Sequence, residues 1–252
     1  MEIVDDSPVS GEWHRSERAV AGRTILYLHG GGYVFGSPKS HRDATFALAR
    51  EAAADVFSLD YRMAPEHPFP AAVDDAINAY EWLLSEGRNP KTLVIGGDSA
   101  GGGLTLALLL SIKERGLPMP AGALLYSPWT DLAATGASLT ANEESDVMFK
   151  AIYISEGAKR YLGDADPTTP LASPLYGDLS GLPPMMIFAT NSEVLLDDSV
   201  RLHDRLKSAG VASELHLEDG LCHVWPIFPG RFPEATAAVK KAAAFIQKRT
   251  GG

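Results

Sequence analysis

The feature that most constrains the fold of this chain is a regular alternation of short apolar runs with amphipathic segments of helical period. The apolar runs predict strands at 24–28, 56–59, 92–95, 123–126, 185–189 and 213–217. Segments with apolar residues three or four positions apart predict helices at 41–53, 71–84, 99–115, 197–209 and 234–247. Alternating strands and helices favour an α/β class, with a mostly parallel central sheet flanked by helices. In such sheets, ligands bind beyond the carboxyl ends of the strands.

Length and composition limit the classes of protein and partner. The 252 residues are compatible with one α/β unit, so we expect a single domain over 1–252. The formal net charge is -10, and no cluster of Lys and Arg offsets it, so neither nucleic acid nor a membrane surface is an expected partner. Cys222 is the only cysteine, the acidic N-terminus does not resemble a signal peptide, and the longest apolar run, 106–110, is too short to span a bilayer. These features predict a soluble, cytoplasmic protein.

One long stretch, 138–182, interrupts the alternation. It contains several prolines and the aromatic residues Tyr153, Tyr161 and Tyr176, but no clear strand. Long insertions in compact domains are usually lids or binding elements, so we expect a small helical cap over the site. A disordered loop is the alternative, which the many apolar residues disfavour.

The pentapeptide Gly-Asp-Ser-Ala-Gly at 97–101 follows a predicted strand and opens a predicted helix. A serine in this strand–turn–helix context is typical of a hydrolase nucleophile, because the strained turn exposes the hydroxyl and the helix N-terminus favours a developing negative charge. Glycines on either side relieve crowding around the turn. The alternative is a simple helix N-cap at Ser99.

The segment His-Gly-Gly-Gly at 29–32 follows the first predicted strand. Acyl transfer needs backbone amides directed at the oxygen of the tetrahedral intermediate, and consecutive glycines let the backbone approach that oxygen. We expect the amides of Gly31, Gly32 and Ala100 to form this oxyanion hole. A phosphate-binding loop is the alternative, but it would require a Lys-Ser/Thr pair or the dinucleotide glycine spacing.

Among the seven histidines, His223 is the candidate general base. It follows the last predicted strand and lies downstream of both nucleophile and acid, which is the chain order of an α/β hydrolase. His216, its nearest rival, alternates along a strand with Glu214 and Glu218 and is interpreted as part of a solvated face. The histidines show no spacing typical of metal ligands, so we predict no metal.

Two acidic residues compete for the third catalytic position. Glu193 lies in the loop just past the strand predicted at 185–189, where the acid of a triad belongs. Asp197 opens the next helix, where a carboxylate is explained by capping and by the helix dipole. We favour Glu193 and keep Asp197 as the alternative.

Together these segments resemble the hormone-sensitive-lipase-like family of bacterial esterases. The matching parts extend from about residue 24 to the C-terminus and comprise His-Gly-Gly-Gly-Tyr at 29–33, Asp-Tyr-Arg-Met-Ala-Pro-Glu at 60–66, the pentapeptide, the acidic loop and His223. Two features depart from the family pattern. The acidic loop reads Glu-Val-Leu-Leu-Asp at 193–197 instead of Asp-Pro-Leu-x-Asp, and the region before the first strand is short.

The resemblance implies an α/β-hydrolase fold in which the N-terminal segment 1–22 joins 138–182 in the cap, while 60–66 braces the first helices. It implies hydrolysis of short-chain carboxylic esters through Ser99, His223 and Glu193, with an acyl-enzyme intermediate, a small-molecule ester as substrate and no cofactor. A homodimer formed through an edge strand is a further expectation. An amidase or deacetylase with the same triad, or a non-catalytic relative that binds a ligand, are the alternatives.

Large aromatic rings in the loops beside the predicted site are candidates for the walls of a small acyl pocket. They lie near the predicted strand ends and leave little room for a long acyl chain. These residues are Tyr33, Phe35, Phe69, Trp129 and Trp225.

Overall fold

The structure is a computed structural model that describes residues 1–6 and 9–251. Eight strands in these residues form one sheet: β1 (Glu2–Asp6), β2 (Val9–His14), β3 (Thr24–Leu28), β4 (Asp55–Leu59), β5 (Leu93–Asp98), β6 (Gly122–Tyr126), β7 (Met185–Thr190) and β8 (Ser213–Glu218). Their order is β1-β2-β4-β3-β5-β6-β7-β8. The pairs β1–β2 and β2–β4 are antiparallel, and the remaining pairs are parallel. The predicted α/β class with a mostly parallel sheet is confirmed.

Helices cover both faces of the sheet. They are α1 (Arg42–Ala52), α2 (Ala71–Ser85), α3 (Ala100–Glu114), α4 (Ser138–Ala141), α5 (Ala151–Leu162), α6 (Leu196–Ser208) and α7 (Pro233–Arg249). Apolar residues of α1 and α7 pack together on one face, and those of α2, α3 and α6 pack on the other. Among the described residues, no helix combines the length and the apolar character needed to cross a membrane.

The strand β3 shows why the sequence folds into a sheet with two covered faces. Ile25 and Tyr27 belong to the apolar cluster on the α1 and α7 side, whereas Leu26 and Leu28 belong to the opposite cluster. Successive side chains of a strand point to opposite faces, so an uninterrupted apolar run is buried on both. The carboxyl ends of β3 and its neighbour β5 therefore lie side by side, and the segments that follow them share one edge of the sheet.

The predicted elements agree with the structure except at the N-terminus. The strand predicted at 24–28 is observed as Thr24–Leu28, and β5 continues past the predicted end at residue 95 to Asp98. The segment 1–22, expected to join the cap, instead contributes β1 and β2 to an antiparallel edge of the sheet. Glu2 and Asp5 in β1 are acidic and exposed, and an edge strand with one solvated face tolerates them.

Candidate active site

The candidate nucleophile, Ser99, lies in a sharp turn between β5 and α3. Its φ is 53° and its ψ is -120°, a conformation that costs a residue other than glycine about 1–3 kcal/mol. The Ser99 amide donates to the Tyr126 carbonyl at 2.8 Å, and the Ser99 carbonyl accepts from the Trp129 amide at 2.9 Å. These hydrogen bonds hold the strained turn in place, and the turn exposes the Ser99 side chain to a cavity.

Two glycines let the turn approach the end of β3. A Cβ atom at Gly97 or at Gly101 would overlap the carbonyl oxygen of Leu28. Real Cβ atoms do not approach a backbone oxygen that closely, so only glycine fits at these two positions. The close approach brings the N-terminus of α3 beside the loop that follows β3.

A hydrogen-bonded chain connects the partly buried Ser99 to the buried side chains of His223 and Glu193. The Oγ atom of Ser99 lies 2.9 Å from Nε2 of His223. Nδ1 of the same ring makes a short contact with Oε2 of Glu193. A carboxylate can only accept, so Nδ1 carries the proton and Nε2 is free to take the proton of the Ser99 hydroxyl.

The second carboxylate oxygen of Glu193 is held from two sides. Its Oε1 accepts from the Thr190 amide and from the Ser127 hydroxyl, each at 3.0 Å. The Ser127 hydroxyl in turn accepts from the Val224 amide at 3.1 Å. Ser127 therefore connects the acidic loop to the loop that carries His223. Ser127 was not predicted from the sequence, although its place directly after β6 is a signal that could have found it.

Asp197 and His216, the alternatives to Glu193 and His223, make other contacts. The Asp197 carboxylate accepts from the Ser138 amide at 3.0 Å and so joins α6 to α4 rather than meeting His223. The ring of His216, on β8, lies beside Phe188 with 4.9 Å between ring centroids. Of the acidic candidates weighed from the sequence, the structure brings Glu193 to the His223 ring.

The glycine loop after β3 supplies free amides beside Ser99. Gly31 has a φ of 120° and Gly32 a φ of 62°, a region in which glycine is favoured. Within residues 1–6 and 9–251, the amides of Gly31, Gly32 and Ala100 donate to no other protein group. Gly31, Gly32 and Ser99 line the same cavity, and the Ala100 amide opens α3. Free amides at a helix N-terminus and in a neighbouring loop can stabilise an oxyanion.

The buried His29 anchors this glycine loop. Its Nδ1 donates to the Gly30 carbonyl at 2.8 Å, and its ring stacks on Tyr61 with centroids 4.2 Å apart. Burial lowers the pKa of His29 to about 4, so the ring is neutral near pH 7. His29 therefore orders the loop and adds no charge to the site.

The segment 60–66 braces two parts of the fold, as the resemblance implies. The Tyr61 hydroxyl donates to the His29 carbonyl at 2.7 Å. The Arg62 guanidinium donates to both oxygens of Asp75 in α2, the shortest bond being 2.7 Å. The first contact secures the glycine loop, and the second secures α2. The role of Asp75 was not predicted from the sequence, because this residue lies on α2 and outside the segment that contains its partner Arg62.

Ser99 and His223 open into an apolar cavity of about 380 Å³. Of the predicted wall residues, Phe35 and Trp129 line it. Most of its remaining walls come from residues not predicted from the sequence, namely Val34, Gly36, Ser40, His41, Met148, Phe149, Tyr153, Ile154, Gly157, Val224, Ile227 and Phe228. Few polar groups line the cavity besides the candidate reacting ones, which favours a small, mostly apolar ligand.

Three other predicted wall residues lie behind the cavity. Tyr33 is buried and stacks on Tyr161 with ring centroids 3.7 Å apart, and Phe69 meets the same Tyr161 ring edge-on. Trp225 is buried, and its indole nitrogen donates to the Ala189 carbonyl at 3.3 Å. The prediction that these rings line the pocket is wrong, because a large ring next to a strand end gains more by filling the core beneath the loops.

The segment 138–182 forms one wall of the site. It contains α4 and α5, and the Phe149 ring meets the His223 ring edge-on at 5.2 Å between centroids. The Asp146 carboxylate accepts from the amides of Met148 and Phe149, and its other oxygen accepts from the Val194 amide at 2.9 Å. One buried carboxylate thus connects this wall to the acidic loop.

A family model described as alpha/beta hydrolase fold matches residues 25–227. The chain belongs to this family. A related acetyl-hydrolase from Streptomyces hygroscopicus is 43% identical over 250 residues, which cover 99% of this chain and 83% of the relative. A crystal structure of an esterase from the bacterial hormone-sensitive lipase family matches with a TM-score of 0.97 at 44% identity, over 99% of this chain and 84% of that one.

A third relative is EstE5, whose crystal was soaked by p-nitrophenyl butyrate. It matches this α/β hydrolase with a TM-score of 0.96 at 45% identity, over 100% of this chain and 85% of that one. The resemblance to hormone-sensitive-lipase-like esterases that the motifs indicated is confirmed, as is the predicted α/β-hydrolase fold.

Proposed function

We propose that this α/β hydrolase cleaves carboxylic esters with short acyl chains through Ser99, His223 and Glu193. One observation carries the proposal: the Ser99 hydroxyl lies 2.9 Å from Nε2 of a buried histidine, at the wall of an apolar cavity. A serine placed in this way has a base to remove its proton and a dry surface to hold the rest of an ester.

The first half of the reaction forms an acyl-enzyme. Nε2 of His223 takes the Ser99 proton while Oγ attacks the carbonyl carbon, and the negative charge moves to the carbonyl oxygen. The amides of Gly31, Gly32 and Ala100 stabilise that oxygen, and Glu193 stabilises the imidazolium. The imidazolium then gives its proton to the alcohol oxygen as the ester bond breaks.

The second half repeats these steps with water. Nε2 of His223, neutral again, takes a proton from a water molecule, whose oxygen attacks the acyl carbon on Ser99. The tetrahedral intermediate collapses, the Ser99 oxygen recovers the proton, and the carboxylic acid leaves. No step requires a cofactor or a metal, so the proposal includes none.

The cavity supports a short acyl chain. Its volume of about 380 Å³ is near the lower end for small-molecule sites, which span about 300–1,000 Å³. Aromatic rings of Phe35, Trp129 and Phe149 form part of its walls. The names of the relatives point the same way, since one is an acetyl-hydrolase and another was soaked with a butyrate ester.

The remaining expectations belong to the same proposal. A small-molecule ester is the partner, a homodimer would form through an edge strand such as β8, and the cytoplasm is the location suggested by the single cysteine. Analytical ultracentrifugation would test the dimer directly.

Hydrolysis of p-nitrophenyl acetate, butyrate, octanoate and palmitate tests the function. We expect kcat/KM to be highest at butyrate or acetate and Ser99→Ala to lower kcat by at least ~10³-fold, because a triad acts as a unit. Mass spectrometry should detect an acyl adduct on the wild type and none on Ser99→Ala.

The control variant is Ser208→Ala, which removes an exposed hydroxyl of α6 and should keep full activity. Activity of Ser99→Ala within tenfold of the wild type would refute the proposed nucleophile. Highest activity on palmitate would refute the short acyl pocket, and faster cleavage of a butyryl anilide than of the ester would assign an amidase instead.

A further inference from the structure

A buried carboxylate lies directly beside the nucleophile and takes no part in the mechanism above. Asp98 precedes Ser99, and its side chain is buried. Its Oδ1 accepts from the Tyr27 hydroxyl at 2.8 Å, and its Oδ2 lies 3.4 Å from Nε2 of His41. Within the described residues, the contact with His41 is the one ion pair that Asp98 makes.

The same carboxylate lies against the oxyanion loop. A Cβ atom at Gly30 would overlap Oδ2 of Asp98, so the backbone just before the Gly31 amide rests on this oxygen. An uncompensated negative charge there would oppose the negative charge that develops on the substrate carbonyl oxygen. The site therefore needs a positive charge close to Asp98.

The geometry around His41 indicates an imidazolium. Its Nδ1 lies 3.2 Å from the Ser37 carbonyl oxygen and 3.0 Å from Oγ of Ser40. The Ser40 hydroxyl gives its own hydrogen to the Ser37 carbonyl, so it accepts from the ring. The other nitrogen faces the Asp98 carboxylate. Both ring nitrogens thus face acceptors, and only the doubly protonated ring satisfies both.

The other titratable groups near His41 do not supply this charge. The His29 ring lies 5.6 Å away between centroids and is neutral, since burial lowers its pKa to about 4. The Tyr27 ring, 6.4 Å away, stays protonated because burial raises its pKa. Although burial alone would lower it, the negative charge of Asp98 holds the pKa of His41 above its usual value.

We propose that His41 is a positioning residue that remains protonated during catalysis and neutralises Asp98, so that no net negative charge stands behind the oxyanion hole. The inference rests on the proposed ester hydrolysis at Ser99. His41 acts on the reaction through Asp98, and its ring also borders the cavity.

The test is a cycle of variants: His41→Gln, Asp98→Asn and the two combined. His41→Gln leaves Asp98 unpaired, and we expect kcat for p-nitrophenyl butyrate to fall by roughly 10- to 100-fold, since the Asp98 charge then opposes the charge that develops on the substrate oxygen. KM should change little. The double variant removes both charges and should recover kcat to within about fivefold of the wild type.

The matched control is His14→Gln. His14 is a second buried histidine paired with a carboxylate, Nε2 lying 3.3 Å from Glu12, but it is on β2, which β4 and β3 separate from β5. Its loss should lower Tm and leave kcat unchanged. A purely structural role for His41 would give the pattern of His14→Gln, a lower Tm with kcat unchanged.

Nitrogen NMR of the His41 ring supplies a readout that needs no activity. Both nitrogens should show imidazolium shifts at pH 7 in the wild type and in Ser99→Ala, and neutral shifts in Asp98→Asn. A neutral His41 in the wild type, full kcat in His41→Gln, or a double variant as slow as His41→Gln would each overturn the proposal. Failure of the proposed function would instead abolish the esterase assay in every variant and leave the NMR result intact.

Discussion

Replacing Glu193 by glutamine is the sharpest test of the assigned acid, because the structure dictates how the new amide must lie. One oxygen of Glu193 accepts from the Thr190 amide at 3.0 Å, and a backbone amide can only donate. The oxygen of a glutamine must therefore take that place. Its NH2 group is then forced toward Nδ1 of His223, where Glu193 accepts in the wild type.

The glutamine NH2 group donates where the Glu193 oxygen accepts, and this changes the tautomer of His223. Nδ1 must then accept, so the ring proton moves to Nε2, which can no longer take the proton of the Ser99 hydroxyl. A corresponding change in a serine-protease triad lowers kcat about 10⁴-fold, which is about 5.5 kcal/mol of barrier. We expect Glu193→Gln to lose about 10²- to 10⁴-fold in kcat with KM nearly unchanged. Glu193→Asp, one methylene shorter, should be impaired less.

Steady-state kinetics with p-nitrophenyl butyrate, together with thermal melts, measures both effects. Asp197→Asn is the matched control. The Asp197 carboxylate accepts a hydrogen bond from the Ser138 amide, and an asparagine oxygen can still accept it, so kcat should be unchanged. The expected loss of stability in this control is at most about 1 kcal/mol. Loss of kcat in Asp197→Asn while Glu193→Gln stays active would refute the assignment of the acid.

Two further predictions follow from the oxyanion loop and its support. Gly31→Ala places a methyl group against the Phe35 carbonyl at a φ of 120° and should lower kcat by about 10²- to 10³-fold. Gly210→Ala is the control for backbone strain, because Gly210 has a φ of 75° and no atom lies within 4 Å of the added carbon. Equal kcat in both variants would contradict the role of the loop. Burial alone would raise the pKa of Asp98 and lower that of His41, but their mutual attraction holds the pKa of Asp98 below and that of His41 above the usual value. The pair therefore stabilises the fold fully between about pH 4 and 6.5 and stops doing so as pH rises through the raised pKa of His41 or falls through the lowered pKa of Asp98. The Tm difference between the wild type and the His41→Gln/Asp98→Asn variant, measured by calorimetry, should be largest in that window, and a difference that keeps growing up to pH 9 would contradict the ion pair.

Local pattern was sufficient where one element decides its own structure. The run at 24–28 predicted a strand buried on both faces because it is apolar without interruption, and β3 has those bounds. The candidates Ser99 and His223 followed from short motifs in the chain order of an α/β hydrolase. Glu193 was favoured over Asp197 because a loop residue past a strand end is free to turn toward the site, whereas a residue in the first turn of a helix is not.

Tertiary structure decided everything that depends on which distant segments meet. The acidic residues near the N-terminus did not predict the strand β1, which is stable because an edge position in the sheet makes a polar strand acceptable. The aromatic rings of Tyr33 and Trp225 were predicted to line the pocket, but they are buried in the core beneath the loops. The contacts of Ser127 with Glu193 and of His41 with Asp98 were not predicted, since the partners lie 66 and 57 positions apart along the chain. Sequence periodicity reports the burial of one element at a time, and only the packed sheet brings the ends of its strands, and the charges on them, together.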